Sequence, residues 1–378
     1  MEDKFKLIRT STVPGSLSTF LDGSIETLME KFDLVLLSSP GIELEELHRK
    51  YGMRTVAVPM ERRMSPFKDI VSLWRLLKVF HKERPYIVHS MTPKAGLLCM
   101  MAAWIARVPR RVHTFTGLVW PTATGMKRKI LMSTDWLTCA CATHIIPEGK
   151  GVMSDLQAHI TRKPMRVLGY GNVRGVDMMY WHRDNVDAAK LSQIKDSGKF
   201  TFLFVGRIVK DKGINELVEA FMQIHKNSSI RLLLVGKFED NLDPIADLTR
   251  KIIRECDDIV CAGPKYGAEL LAYYAASDCF VLPSYREGFP NTVLEAGAME
   301  LPSIVTDING SREIIENGKN GLVIPSKNAD ALADAMMQMI ENNEMRERMA
   351  EDARPMIESR FEQGFVRKCM MDFYDCII

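Results

Sequence analysis

Two carboxylates and two cations in the second half of the chain carry the clearest chemical signal. Glu287 stands in the segment Leu282-Pro283-Ser284-Tyr285-Arg286-Glu287-Gly288-Phe289-Pro290-Asn291-Thr292-Val293-Leu294-Glu295-Ala296, and Glu295 follows it eight positions later. The segment predicts a strand, a loop and a helix opening near Pro290 or Asn291, because proline suits the first helical position. The amides of Asn291, Thr292 and Val293 would then face an anion on the helix axis, with both carboxylates nearby to accept bonds from hydroxyls. Upstream, Phe204-Val205-Gly206-Arg207-Ile208-Val209-Lys210-Asp211-Lys212-Gly213 reads as a strand turning through Gly-Arg into a helix. Arg207 and Lys212 at a helix entrance can clamp a diphosphate from two sides, while Gly206 admits a ligand close to the backbone. Two solvated cations on a surface turn would look the same in isolation. Read together, the segments ask for a ligand with an anion and several hydroxyls: a phosphorylated sugar or a nucleotide.

Strand–helix alternation surrounds both segments. Leu7-Ile8, Leu34 to Leu37, Thr55 to Val58, Ile87-Val88, Arg111 to Phe115 and His144 to Ile146 read as strands. Between them Ile70, Val71, Trp74, Leu77 and Phe80 recur at helical spacing, which predicts an amphipathic helix. The stretch 169–177 is glycine-dense and aperiodic, and 181–197 is polar. Alternation restarts at Phe200 to Val205 and continues through Leu232 to Val235, Ile259-Val260, Cys279 to Leu282, Ser303 to Val305 and Leu322 to Ile324. This pattern predicts an α/β protein of two doubly wound, Rossmann-like domains, with the boundary near residues 172–195. Ligands of such sheets bind beyond the strand carboxyl ends, so a cleft between the two domains is the expected site. No repeat of 20–50 residues is present.

The second half resembles the retaining glycosyltransferases of family 4, which share the GT-B fold. Glu287 and Glu295 reproduce the Glu-x7-Glu pattern with Pro-Ser before it, Glu-Gly-Phe-Pro at the first Glu and Glu-Ala at the second. Gly206-Arg207 with Lys212-Gly213 matches the family's phosphate motif, and Val235-Gly236 matches the strand beside the base. Asp307-Ile308-Asn309-Gly310, Glu313-Ile314-Ile315 and Asn320-Gly321 complete the resemblance, which spans roughly residues 170–360 and fits 1–170 more loosely. The chain looks most like bacterial enzymes that extend lipid-linked precursors of capsules, O-antigens or other surface glycans.

The resemblance implies an N-terminal acceptor-binding domain over 1–175, a nucleotide-sugar domain over 190–360, and a last helix, 361–378, crossing back to the first. It implies that Arg207 and Lys212 bind the donor diphosphate, Glu287 the 3- and 4-hydroxyls of the transferred sugar, and Glu295 the ribose. Amides around Phe289, Pro290, Asn291 and Thr292 would hold the distal phosphate and sugar. Fixed cations and a helix dipole would meet the leaving-group charge, so no metal or other cofactor is expected. No Asp-x-Asp stands in either motif, and Asp240-Asn241-Leu242-Asp243 is too widely spaced to replace it. The family retains anomeric configuration, which implies front-face attack with the departing phosphate oxygen taking the acceptor proton. A UDP-linked hexose or N-acetylhexosamine and a lipid-linked saccharide are the implied partners.

In the first half, the loop Thr12-Val13-Pro14-Gly15-Ser16-Leu17-Ser18 could bring Gly15 and the Ser16 amide to the donor diphosphate. His113, near the end of the fifth strand, and Thr116, where relatives place a second contact, are candidates for the acceptor or donor sugar. A satisfied structural histidine is the alternative for His113, and still more for His89. Lys94 at a helix start could face the acceptor or simply be solvated. The loop from Gly117 to Arg128, with Trp120, reads as a mobile aromatic flap beside the basic helix start Lys127-Arg128-Lys129. Arg62, Arg63, Arg75 and Lys78 add basic surface beside Trp74, suited to peripheral docking on anionic lipid or to ordinary solvation.

Composition excludes other classes. Of 378 residues, 46% are apolar and 26% charged, which excludes wholesale disorder. Lys plus Arg total 50 against 48 acidic residues, a net charge of +2, so no global pull toward nucleic acid exists. Cysteines at 99, 139, 141, 256, 261, 279, 369 and 376 form no C-x-x-C pair and read as reduced, buried thiols. Met1-Glu2-Asp3-Lys4 enters a strand-like run without a signal-peptide core. The apolar stretch from Ala95 to Ala106 is shorter than the ~18 residues of a bilayer span and reads as a buried helix. These features predict a cytoplasmic protein; the basic surface around Trp74 leaves peripheral contact with the inner face of the membrane and ordinary solvation as the two readings of that side. A transferase with a soluble acceptor and a non-catalytic sugar-nucleotide-binding subunit are the alternatives. A dehydrogenase is set aside, because no Gly-x-Gly-x-x-Gly follows the first strand.

Overall fold

The computed structural model describes residues 4–226, 228–240 and 243–378. Met1-Glu2-Asp3 and the Asn241-Leu242 pair inside the acidic spacing lie outside the described residues. The chain forms two compact units, Met1–Arg174 with Val366–Ile378, and Gly175–Phe365. The polar stretch after residue 175 belongs to the second unit, where Arg354 donates to the carbonyls of Met178 and Trp181, each at 2.7 Å.

The first unit is built on a six-stranded sheet of order β3-β2-β1-β4-β5-β6. Its strands are β1 (Lys6–Thr10), β2 (Asp33–Ser38), β3 (Arg54–Ala57), β4 (Ile87–Met91), β5 (Arg110–Phe115) and β6 (His144–Pro147). All pairs are parallel, with Ile8 between Val35 and Val88. Leu7, Ile8, Val35 and Leu36 are fully buried, which is why these strands read as unbroken apolar runs rather than alternating ones.

Two helices of this unit differ from the sequence reading. Pro66–Glu83 forms as predicted, but it turns Ser72, Leu76, Phe80 and Glu83 inward. Ile70, Val71 and Trp74 point outward, with Phe67 87% exposed beside them. Both sides of the helix carry apolar residues, so periodicity marks a stripe without saying which way it faces. Pro93–Ile105 is buried along most of its length, yet Trp104 and Ile105 at its end are exposed. The helix Gln363–Ile377 places Met370, Phe373, Tyr374 and Ile377 in the core of this unit. The Tyr374 hydroxyl accepts from Arg9 Nη1 and shares a hydrogen bond with His89 Nδ1, each at 2.6 Å.

The second unit repeats the architecture with order β12-β11-β10-β7-β8-β9. Its strands are β7 (Phe200–Val205), β8 (Ile230–Val235), β9 (Ile259–Gly263), β10 (Cys279–Leu282), β11 (Ser303–Thr306) and β12 (Gly321–Ile324). In both sheets the strand order reverses beside the first strand, between β1 and β4 and between β7 and β10. That reversal opens a crevice at the strand carboxyl ends.

All eight cysteines are free thiols, but only Cys99, Cys139, Cys141 and Cys279 are buried. Cys261 and Cys376 are exposed, contrary to the uniform burial their apolar neighbours suggest: Cys261 lies on the half-open strand β9 and Cys376 on the outer side of the last helix. Among the described residues no helix is long and apolar enough to cross a membrane.

Candidate functional site

The reversal between β7 and β10 brings the two chemical segments together. Phe280 pairs with Leu203 across these strands, so the loops that follow them emerge side by side. The β7 loop carries Gly206 and Arg207, then a 3-10 turn, Lys210–Lys212, that leads into the helix Ile214–His225. The β10 loop carries Ser284 to Glu287, then the helix Asn291–Ala298. Lys212 Nζ donates to Glu287 Oε1, and the Ser284 hydroxyl donates to the same oxygen at 2.7 Å. Both members of the ion pair are mostly buried, with side-chain exposures of 17% and 12%. Arg207 is more open and donates to Glu239 at 3.0 Å.

The rest of the β10 loop is fastened to the β7 loop. Tyr285 N donates to the Asp211 carbonyl at 2.8 Å, and Arg286 bridges to the Asp211 carboxylate at 2.7 Å. The Tyr285 hydroxyl donates to Glu216 at 2.6 Å; burial and that carboxylate push its pKa up. Glu295 lies inside the following helix, buried, with the Tyr274 hydroxyl 3.2 Å from its Oε2.

At the start of that helix the amide pattern differs from the expected nest. Val293 N already donates to the Pro290 carbonyl at 3.1 Å, because Pro290 caps the helix and its carbonyl takes the first turn's bond. Pro290 has no N–H to offer. Phe289 is buried, its ring 5.2 Å from that of Phe361, so its side chain serves the core. Asn291 and Thr292, both half-buried, stand at the first turn of the helix.

Gly206, Arg207, Lys212, Glu287, Glu295 and the 289–292 turn therefore gather on the second unit. Gly15, Ser16, Lys94, His113 and Thr116 lie on the first, at the carboxyl ends of β1, β4 and β5. Ser16 N is committed to the Val13 carbonyl at 3.1 Å, so this amide closes a turn instead of facing a phosphate. Lys94 is paired with Asp69 at 2.6 Å and is only 11% exposed. His113 is buried, with Nδ1 2.8 Å from the Ser90 hydroxyl, and burial pushes its pKa down to about 3. It is a neutral imidazole at any pH near 7. His89 is likewise buried and held well below its usual pKa by burial and by Arg9. Thr116 is half-buried just past β5. Trp120 is not an exposed flap residue: it is 2% exposed, wedged with its ring centroid 5.3 Å from that of His159 and 5.5 Å from the Arg128 guanidinium.

Tyr274, Glu239 and Asp211 contribute to the site though nothing in the sequence assigns them a role, and Ser284 reads there only as a neighbour of the first glutamate. Ser284 and Asp211 stand inside the motif segments as plain loop residues, and Tyr274 sits in an apolar helix where a tyrosine reads as core.

Comparisons with known proteins show what the chain resembles in sequence and in fold. The sequence profile of the family described as glycosyl transferases group 1 matches residues 186–356, and that of the glycosyl transferase 4-like domain matches residues 30–171. The chain is 30% identical over 377 residues to the capsular polysaccharide biosynthesis glycosyltransferase CapM of Staphylococcus aureus, covering 99% of this chain and 97% of that protein. It is 27% identical to the Escherichia coli UDP-Gal:alpha-D-GlcNAc-diphosphoundecaprenol alpha-1,3-galactosyltransferase, covering 83% of this chain and 81% of the relative. In fold it resembles Anabaena HepE, solved with UDP and glucose, with a TM-score of 0.82 at 15% identity, covering 98% of this chain and 100% of that one.

Proposed function

This chain belongs to the group 1 glycosyl transferases, the family-4 enzymes of GT-B fold, and from that membership we propose that it moves a hexose or N-acetylhexosamine from a UDP-sugar to a lipid-linked saccharide, with retention, in surface polysaccharide synthesis. The observation that carries the reading is the pairing of Lys212 with Glu287 at the crevice of the second unit, with Arg207 on the same loop. Two cations at the carboxyl ends of parallel strands suit a diphosphate. When the donor enters, its phosphate takes over Lys212, and the Glu287 carboxylate is released to accept bonds from sugar hydroxyls. Glu295, held by Tyr274, is placed for a second pair of hydroxyls, those of the ribose. As the anomeric C–O bond to phosphate breaks, Arg207 and Lys212 take up the growing negative charge. The departing phosphate oxygen accepts the proton of the acceptor hydroxyl, whose oxygen bonds to the same face of the anomeric carbon. This reading requires no metal, because the two side-chain cations supply the charge.

The lipid-linked acceptor is supported by the name of the Escherichia coli relative, which acts on a diphosphoundecaprenol-linked sugar, and by the surface of the first unit. A groove of about 490 Å³ between the helices Pro66–Glu83, Pro93–Ile105 and Gly125–Cys141 is lined by Ile70, Leu73, Leu97, Met101, Met126 and Ile130. Phe67, Ile70 and Trp74 on the first of these helices, and Met126 and Trp136 on the third, are exposed. Arg75, Lys78 and Lys127 to Lys129 belong to the same helices, and Lys78 lies over the Trp74 ring at 3.4 Å. Apolar side chains rimmed by cations suit peripheral contact with an anionic membrane, the place where a lipid-linked saccharide is found.

Thermal stabilisation by UDP, GDP, ADP and NAD, compared in the wild type, Lys212→Ala and Glu295→Ala, tests the donor site. The expected result is a shift with UDP that both variants lose. A shift with another nucleotide overturns the choice of donor, and no shift with any of them removes the catalytic reading. Transfer from UDP-sugars to polyprenyl-diphosphate-linked and free saccharides then tests the acceptor class.

A further inference from the structure

Glu239 belongs to neither chemical motif, yet it touches one of their key residues. It follows β8 and accepts from Arg207 Nη1 at 3.0 Å. The segment that carries it is fastened to the β7 loop at several other points. Ile208 N donates to the Lys237 carbonyl at 2.9 Å and Lys210 N to the Asp243 carbonyl at 3.1 Å. Asp211 N donates to the Asp243 carboxylate at 2.7 Å, and Ala246 N donates to the Asn215 side-chain oxygen at 3.0 Å. The close approach depends on Gly236, where a Cβ would stand 1.7 Å from the Gly206 carbonyl oxygen.

A carboxylate beside a phosphate-binding arginine opposes anion binding through its charge. Its compensation is geometric. The Arg207 side chain is 41% exposed, so without a partner it would sample many rotamers, and a phosphate would have to freeze one. A single bond from Nη1 fixes the guanidinium and leaves other N–H groups of the fork for the ligand. Asp243 does the same for the backbone: its carbonyl and carboxylate hold two successive amides of the turn from which Lys212 projects.

We propose that Glu239 and Asp243, which follow β8, are positioning residues for the two donor-site cations, with Glu239 orienting the Arg207 guanidinium and Asp243 holding the Lys212 turn. The proposal rests on the donor reading above, because it assigns the cations to a diphosphate.

Its test is the ratio of UDP to UMP affinity, measured by calorimetry on the full chain, alongside thermal stability. Wild type should prefer UDP, whose second phosphate engages the cations. Glu239→Ala should lower that preference about tenfold while leaving UMP affinity and melting temperature in place. Glu239→Gln, which keeps the hydrogen bond, should restore most of it. Asp243→Ala should lower the preference as well, and Asp243→Asn less. A preference that rises in Glu239→Ala means that the carboxylate acts only as a charge, and overturns the proposal. Equal losses of UDP and UMP binding with a fall in melting temperature mean a purely structural role, and overturn it too. Wild type with no preference for UDP defeats the donor reading itself; a normal wild type with indifferent variants defeats only the positioning role.

Discussion

A Cβ on residue 213 would stand 2.0 Å from the carbonyl oxygen of Pro283, and Gly213 holds φ at +71°. The β7 and β10 loops therefore meet backbone to backbone one residue from Lys212. Gly213→Ala adds both a left-handed strain and a clash that rigid backbone cannot relieve. It should cost about 2–3 kcal/mol and weaken UDP binding by parting Lys212 from Glu287. Urea unfolding and calorimetry read the two effects; a variant with wild-type stability would mean that the loops can separate without cost.

Tyr274 is fully buried, and its hydroxyl lies 3.2 Å from Glu295 Oε2 and 3.3 Å from the Thr292 carbonyl. Tyr274→Phe keeps the ring and removes that tether. Stability should fall by about 1 kcal/mol, and UDP affinity by a further factor of about five, because Glu295 must then be ordered by the ligand. Loss of stability with unchanged UDP affinity would separate Tyr274 from the nucleotide site.

The exposed apolar rim gives a prediction that is independent of transfer chemistry. Ile70→Asp with Trp74→Asp should abolish sedimentation with phosphatidylglycerol-containing vesicles, and the wild type should bind these better than neutral ones. Both side chains point outward, at 65% and 56% exposure, so folding and UDP binding should be unchanged. Equal partition of wild type and variant would remove the membrane role of this face.

Much of this architecture is legible in the residues. Runs such as Leu34 to Leu37 and Cys279 to Leu282 are short, apolar and β-rich, and each forms a strand buried on both faces. The Arg207–Lys212 and Glu287–Glu295 segments announce themselves because glycine and proline punctuate them at strand ends. Less legible was anything set by a distant partner. Ile70, Val71 and Trp74 have helical spacing, but Leu76 and Phe80 form a second stripe, and only packing against the sheet chooses between them. Glu239 and Asp243 read as solvated loop acids until Arg207 and the Asp211 amide are brought to them. The spent amides of Ser16 and Val293 are likewise invisible in sequence, because they depend on how a single turn closes.

Two buried histidines set the response to acid. His113, with its pKa pushed down to about 3, and His89, also held low, stay neutral in the folded protein. Unfolded, each titrates near the usual 6.5. Between those limits the unfolded chain binds protons that the folded chain does not, so stability falls as pH drops below about 6.5. Asp135 works the other way: burial raises its pKa to about 7, so protonation favours the folded state over the same window. Wild type should therefore lose about 1 kcal/mol per pH unit between 6.5 and 5, the slope steepening toward the lower end. His113→Gln should flatten that slope and Asp135→Asn should steepen it, as read by urea unfolding at each pH.

The last helix has a consequence for how the chain is made. Tyr374 satisfies Arg9 and His89 from a segment that leaves the ribosome only after the whole of 175–365. During synthesis the first unit must wait, its guanidinium buried without that hydroxyl, while the second unit has everything it needs in one uninterrupted stretch. The order of folding should then run against the order of translation, with the later-made unit closing first and the earlier one completed by the helix Gln363–Ile377.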